Sequence, residues 1–207
     1  NPGAEGETWR ASELMTMVRA AQPGIVMNNR LYRSPGYDDP QGSMRWFDRA
    51  HGDFTTPEQA IPAQGMPGVD WEACMTMNGT WGYSALDDQW KSTRELVRNL
   101  VDTASKGGNF LLNIGPEADG SVPKASASRL EQIGAWLRRN GESVYATQAS
   151  PLDAVAWGRI TAKPDRMYLH VFERPADGRL RLDVDGARRA RLLDGGAALT
   201  TRREGQQ

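Results

Sequence analysis

The chain has 207 residues, with 25 Lys and Arg against 26 Asp and Glu and a net charge of −1. That length suits one large domain or one and a half small ones, and the balanced charge gives no reason to expect nucleic acid or an anionic membrane as a partner. A single cysteine, Cys74, excludes an intramolecular disulfide and argues against a cysteine zinc site. No apolar run approaches the ~20 residues of a membrane span. The start, Asn1-Pro2-Gly3-Ala4-Glu5-Gly6, has no Met and no apolar signal region, so it reads as a chain cut into from upstream and leaves the compartment open. The seven Trp residues suit sugar stacking, although buried Trp is the commoner use.

In chain order, Ser12 is placed to cap a helix running to about Gln22, with Leu14, Met15, Val18 and Ala21 on one face. Pro23-Gly24 ends it. Ile25-Val26-Met27 is expected as a short buried strand with a polar tip, Asn28-Asn29-Arg30. Residues 31–68 form a long loop, of the kind that is usually functional or disordered. Asp70 to Asn78 alternates: Trp71, Ala73, Met75 and Met77 take one side, and Glu72, Cys74, Thr76 and Asn78 the other.

Ser92 and Glu95 make a capping box for a helix over 92–106, with Leu96, Val97, Leu100, Val101 and Ala104 as its buried stripe. Gly107 suits the left-handed position after it. Phe110-Leu111-Leu112 then reads as a strand apolar on both faces, which must be covered on both. A further helix runs from about Pro123 to Asn140. Beyond Ser150 short strands are expected at 155–161, 167–172, 180–184 and 190–193, separated by turn residues.

This pattern predicts an α/β protein: a partial (β/α) TIM-type barrel over residues 1–148, then a small, truncated antiparallel β domain over 149–207. A closed barrel needs eight strand–helix units, and three are visible here. The bare faces of a partial barrel need covering by another chain, so a homo-oligomer is expected.

Polar groups gather at the expected strand ends: Asn29, Arg30, Asp53, Glu58, Glu72 and Asn113, with Trp46, Trp71 and Trp81 interleaved. Paired carboxylates beside aromatic platforms are what glycoside hydrolysis requires. Each residue also has a plainer reading. Glu58 suits a helix first turn, Glu72 suits a structural pair with Arg30, Cys74 suits a small core position, and His170 suits a structural place in its strand. His51 and His170 do not make a metal pair, and no metal site is expected.

Several of these stretches together resemble the alpha-L-fucosidases of glycoside hydrolase family 29. They are Asn28-Asn29-Arg30; Gly52-Asp53-Phe54-Thr55-Thr56-Pro57-Glu58-Gln59; Trp71-Glu72 with Met75-Thr76-Met77-Asn78; Trp81-Gly82-Tyr83; Ser105 to Gly120; and Ile133-Gly134-Ala135-Trp136-Leu137. Trp157-Gly158-Arg159 and Tyr168 to Phe172 resemble the start of that family's C-terminal β domain. The resemblance implies retaining hydrolysis of alpha-L-fucosides on fucosylated glycans, without a cofactor. By motif position, Glu58 matches the general acid/base, Glu72 is the second choice for that role, and Arg30 matches a fucose contact. Trp81 walls the sugar pocket, and Trp71 joins the substrate-binding set. The family's nucleophile motif lies upstream of this chain, so the nucleophile is unassigned. Trp46-Phe47-Asp48 imitates that motif in a different place, and Asp48 or Asp53 stands as a local substitute. The alternative, from another functional class, is a non-catalytic carbohydrate-binding remnant.

Overall fold

A computed structural model of the chain describes residues 10–31 and 52–203. Helix α1 spans Ala11–Ala21. It starts one residue before Ser12, so Ser12 does not cap it. The N-cap is Arg10, in the left-handed region (φ 54°), with its guanidinium on Glu13. Ala11 and Met15 are buried, whereas Met17 is 60% exposed. The expected strand at 25–27 is an extended segment with a single ladder position: Asn28 bridges Phe54 in parallel, and Val26 is exposed.

Strand β1 spans Glu72–Thr76 and pairs in parallel with β2, Asn109–Asn113. The segment 53–59 lies on the other side of β1, bridging it at Thr55–Trp71 and Glu58–Cys74. Four extended segments therefore run side by side in one direction, and their spatial order follows the chain. The expected alternation over 70–78 holds. Trp71, Ala73 and Met77 pack into the core, and Cys74 and Thr76 face the other way, toward Arg30 and Gln59.

No helix connects residues 59–70 to β1. The loop itself covers that face, through Ile61, Met66 and Val69 packed around Trp71 and Phe110. Gly108 is required here, because a Cβ at this position would run into the Trp71 indole.

Helix α2, Thr93–Ser105, is capped as expected: the Glu95 N–H donates to Ser92 Oγ at 3.1 Å. Gly107 takes φ 78° after it. Helix α3 spans Lys124–Asn140. Leu96 of α2 and Ile133 of α3 meet Met77 and Leu112, and burial of one such side chain stabilises by roughly 1.5–3 kcal/mol. Strand β2 differs from the expectation of two covered faces. Phe110 and Leu112 pack on the core side, but Leu111 is 44% exposed on the other.

Beyond residue 150, β3 (Gly158–Lys163) and β4 (Arg166–Val171) form an antiparallel hairpin, and Gln148 bridges Ala162 on its other side. The hairpin packs on α2. Asp102 of α2 binds both Lys106 and Arg159, while Arg98 donates to the Phe172 carbonyl and stacks on its ring at 4.9 Å. The expected strand at 180–184 is absent, with Arg181 and Asp183 exposed and Leu180, Leu182 and Val184 half-buried; a two-residue ladder, β5 (Ala190–Arg191) with β6 (Ala198–Leu199), follows.

His170 is structural, as its strand position suggested. Its ring lies 6.5 Å from that of Trp136, and its Nε2 is 3.2 Å from Thr161 Oγ1. That hydroxyl donates its own proton to the Ser143 carbonyl, so it accepts from Nε2–H. Burial pushes the His170 pKa from 6.5 down to about 4. The unfolded chain therefore binds a proton in this window that the fold does not. The contribution of His170 is fully present above about pH 6.5 and is lost as pH falls toward about 4. Urea midpoints measured at about pH 7 and about pH 5 are expected to fall less in His170→Gln than in the unmodified chain.

Candidate functional site

Side chains two apart along an extended chain share a face, which puts Thr56 with Glu58 and Glu72 with Cys74 on one surface; Arg30 joins them from a short 3-10 turn, Asn29–Leu31, just past the end of the first segment. Asn28 comes from that first segment, Thr56 and Glu58 from the second, Glu72 and Cys74 from β1, and Leu111 from β2. With Arg30 and Trp81 they line a cavity of ≈ 400 Å³. A second cavity of the same volume, between residues 151–155 and 181–183, contains none of the expected site residues.

Arg30 is the hub of the first cavity. Its Nη1 is 3.0 Å from Glu58 Oε2, its Nε donates to Thr56 Oγ1 at 2.8 Å, and its Nη2 reaches Cys74 Sγ at 3.0 Å. The pair expected from the strand pattern, Arg30 with Glu72, is thus Arg30 with Glu58. Among the described residues, the Glu72 carboxylate makes no hydrogen bond or ion pair. It lines the same cavity as a second acidic group.

The backbone around Glu58 is held from both sides. The next residue, Gln59, is left-handed at φ 52°, a conformation that costs a non-glycine residue energy and persists only where its surroundings impose it. The surroundings here are β1: Gln59 N donates to the Cys74 carbonyl, and its side-chain amide donates to Thr76 Oγ1 and accepts from Thr76 N.

Trp81 sits on the loop after β1. Asn113 Nδ2 donates to its carbonyl at 2.7 Å, and Asp87 accepts from Gly79 N and Thr80 Oγ1 on the same loop. The indole is 39% exposed at the cavity. Lys91 Nζ closes the end of β1 by donating to the carbonyls of Thr76 and Asn78.

Two expected site residues lie elsewhere. Trp71 is 1% exposed and belongs to the core behind β1, on the opposite side from Glu72. Asp53 accepts from Arg19 Nη2 and from Met27 N, turned toward α1. Asp48 lies outside the described residues, as does His51. Thr56 and Leu111 were not singled out from sequence, although each stands at an alternate position from a residue that was. Cys74 is buried, as expected, but its sulfur faces the cavity. Burial pushes its thiol pKa up, and the nearby Arg30 opposes this more weakly. Among the described residues no group of three or more His, Cys, Asp or Glu could hold a metal ion. No described helix is long and apolar enough to cross a membrane.

The family model for alpha-L-fucosidase matches residues 3–142. Plasma alpha-L-fucosidase of Rattus norvegicus is 37% identical over 163 residues, covering 72% of this chain and 35% of that protein. Among solved structures, alpha-L-fucosidase isoenzyme 1 of Paenibacillus thiaminolyticus superposes with a TM-score of 0.79 at 36% identity, over 96% of this chain and 47% of that one. A family 29 alpha-L-fucosidase of Bacteroides thetaiotaomicron, trapped as a covalent intermediate with 2-fluoro-fucosyl fluoride, gives a TM-score of 0.79 at 27% identity, over 94% and 46%. The chain spans about a third of the length of the curated relatives it matches. The described residues form part of an α/β fold shared with these structures.

Proposed function

Since this chain belongs to the alpha-L-fucosidase family, we propose that the cavity around Arg30 and Glu58 binds the fucose of alpha-L-fucosides and takes part in their hydrolysis with retention. The observation that carries this reading is the Arg30–Glu58 pair, 3.0 Å apart at the ends of the parallel segments, beside Trp81. Glu58 gives its proton to the departing glycosidic oxygen. It then takes one from the water that releases the sugar. Arg30 holds a sugar hydroxyl and orients the Glu58 carboxylate. Trp81 offers an aromatic wall, and Glu72 is the second candidate for the acid/base role.

A retaining reaction also needs a nucleophilic carboxylate roughly 5 Å from the acid/base. The trapped covalent intermediate of the Bacteroides relative supports that course. We assign the nucleophile to no described residue. Asp53 is engaged by Arg19 and the Met27 backbone, which speaks against it.

In this reading, residues 1–148 are part of a (β/α) barrel and 149–207 a truncated β domain. The sequential parallel order of the four segments supports the first part, and the β3–β4 hairpin the second. A second copy of the chain covers exposed apolar groups of the partial fold, among them Met17 of α1 and Val26.

The test is hydrolysis of 4-nitrophenyl alpha-L-fucoside by the purified chain, with product stereochemistry followed by NMR and solution mass by light scattering. Release of beta-anomeric product would contradict retention. Fucose binding without turnover would replace the hydrolase by a carbohydrate-binding protein. Neither binding nor turnover would refute the assignment of the cavity. A mass of one chain would remove the homo-oligomer.

A further inference from the structure

The guanidinium of Arg30 is planar, and its N–H groups point in fixed directions. An ion pair to one carboxylate leaves such a group free to swing about the contact; two further anchors remove that freedom. Among the described residues the anchors are Thr56, whose Oγ1 accepts from Nε at 2.8 Å and whose carbonyl lies 3.5 Å from Nη2, and Cys74, whose Sγ accepts from Nη2 at 3.0 Å. Cys74 is set in a paired strand: it is 7% exposed, it pairs with Leu111, and its neighbour Ala73 is fully buried in the core.

The chemistry of the anchor matters. The groups that act on the sulfur are Arg30, Glu58 and Glu72. A carboxylate at position 74 would compete with Glu58 for the cation. A thiol that burial keeps protonated accepts from Arg30 without doing so, and it directs its own S–H toward the Pro57 carbonyl, 3.8 Å away.

We propose that Thr56 and Cys74 are positioning residues of this cavity, fixing the Arg30 guanidinium in the orientation that presents Nη1 to Glu58. The consequence for sugar binding rests on the fucoside reading; the contact itself does not.

Two measurements separate these layers. Cys74 is the only cysteine, so alkylation by iodoacetamide, followed by intact mass, reports on it alone. The midpoint of the pH–rate profile is expected to move up in Arg30→Met, which removes the cation but keeps an apolar stem. It should move up less in Thr56→Val and stay in place in Thr56→Ser. An unmoved midpoint in Arg30→Met would overturn the proposal.

The second measurement is calorimetric binding of L-fucose. The dissociation constant is expected to rise about tenfold in Cys74→Ala and in Thr56→Val, as for the loss of a hydrogen bond to a charged group. It should return in Cys74→Ser and Thr56→Ser, which restore the acceptors. Equal weakening in the alanine and serine variants at position 74 would point to packing alone and overturn the positioning role. A chain that shows the alkylation shifts yet binds no fucose supports the positioning and refutes the fucoside reading.

Discussion

Glu58→Gln is expected to lower the release of 4-nitrophenol from its alpha-L-fucoside by about 10²–10⁴-fold, the usual worth of a positioned acid/base group. The substitution keeps the size and shape of the side chain. Its amide oxygen can still accept from Arg30 Nη1, so the melting temperature should hardly move. What it loses is the ability to give up and take back a proton. Because 4-nitrophenolate departs without much help, the deficit should fall mainly on the second step, in which water needs a base. Added azide, a nucleophile that needs no base, is then expected to restore turnover and yield fucosyl azide. If Glu72 holds the role instead, Glu72→Gln will show this behaviour and Glu58→Gln will not.

Trp71→Ala should act on stability, by about 3–5 kcal/mol, the range for deleting a fully buried large aromatic side chain. The indole is 1% exposed and fills the space among Met66, Ala73, Ile61, Val69 and Phe110. Among the described residues, the cover over this end of the face is the loop carrying Ile61, Met66 and Val69. For a chain of this size the loss corresponds to a fall of roughly 6–20 °C in the melting temperature. Trp81→Ala provides the contrast. Its side chain is 39% exposed, so its removal should leave the thermal midpoint nearly unchanged and weaken sugar binding instead. A Trp71→Ala chain that melts normally but loses fucose affinity would return Trp71 to the binding surface.

The contrast between these two tryptophans shows what was legible before the structure. Alternation over 70–78 already set Trp71 on the face opposite Glu72; only the grouping of aromatic residues near acidic ones drew it into the binding set. The same alternation put Cys74 beside Glu72, so the thiol's place in the cavity was available from spacing. Local signals with a direct backbone consequence were the most reliable. Ser92 caps α2, and Gly107 takes the left-handed turn that follows it. Ser12 failed as a cap because the helix starts upstream at Ala11, with Arg10 at the cap position and paired to Glu13.

Strand-like stretches were the least reliable. Ile25-Val26-Met27 and Leu180 to Val184 have strand-like composition, but a strand needs a continuous ladder, and composition does not say whether a neighbour will supply one. The Arg30–Glu58 pair was similarly hidden. The two residues are far apart in sequence, and only the parallel bridge between Asn28 and Phe54 brings them into register.

That parallel order has a consequence for how the chain assembles. Each segment meets the one that follows it: Asn28 with Phe54, Thr55 with Trp71, Glu72 with Asn109. No segment has to wait for a distant one, and the entropy of closing each loop grows only slowly with its length. During synthesis at about 5–20 residues per second, each new strand emerges with its neighbour already made. The sheet can then grow one edge at a time from the ribosome, with Arg30 delivered before Glu58 and β1 following to hold both through Cys74 and Thr76.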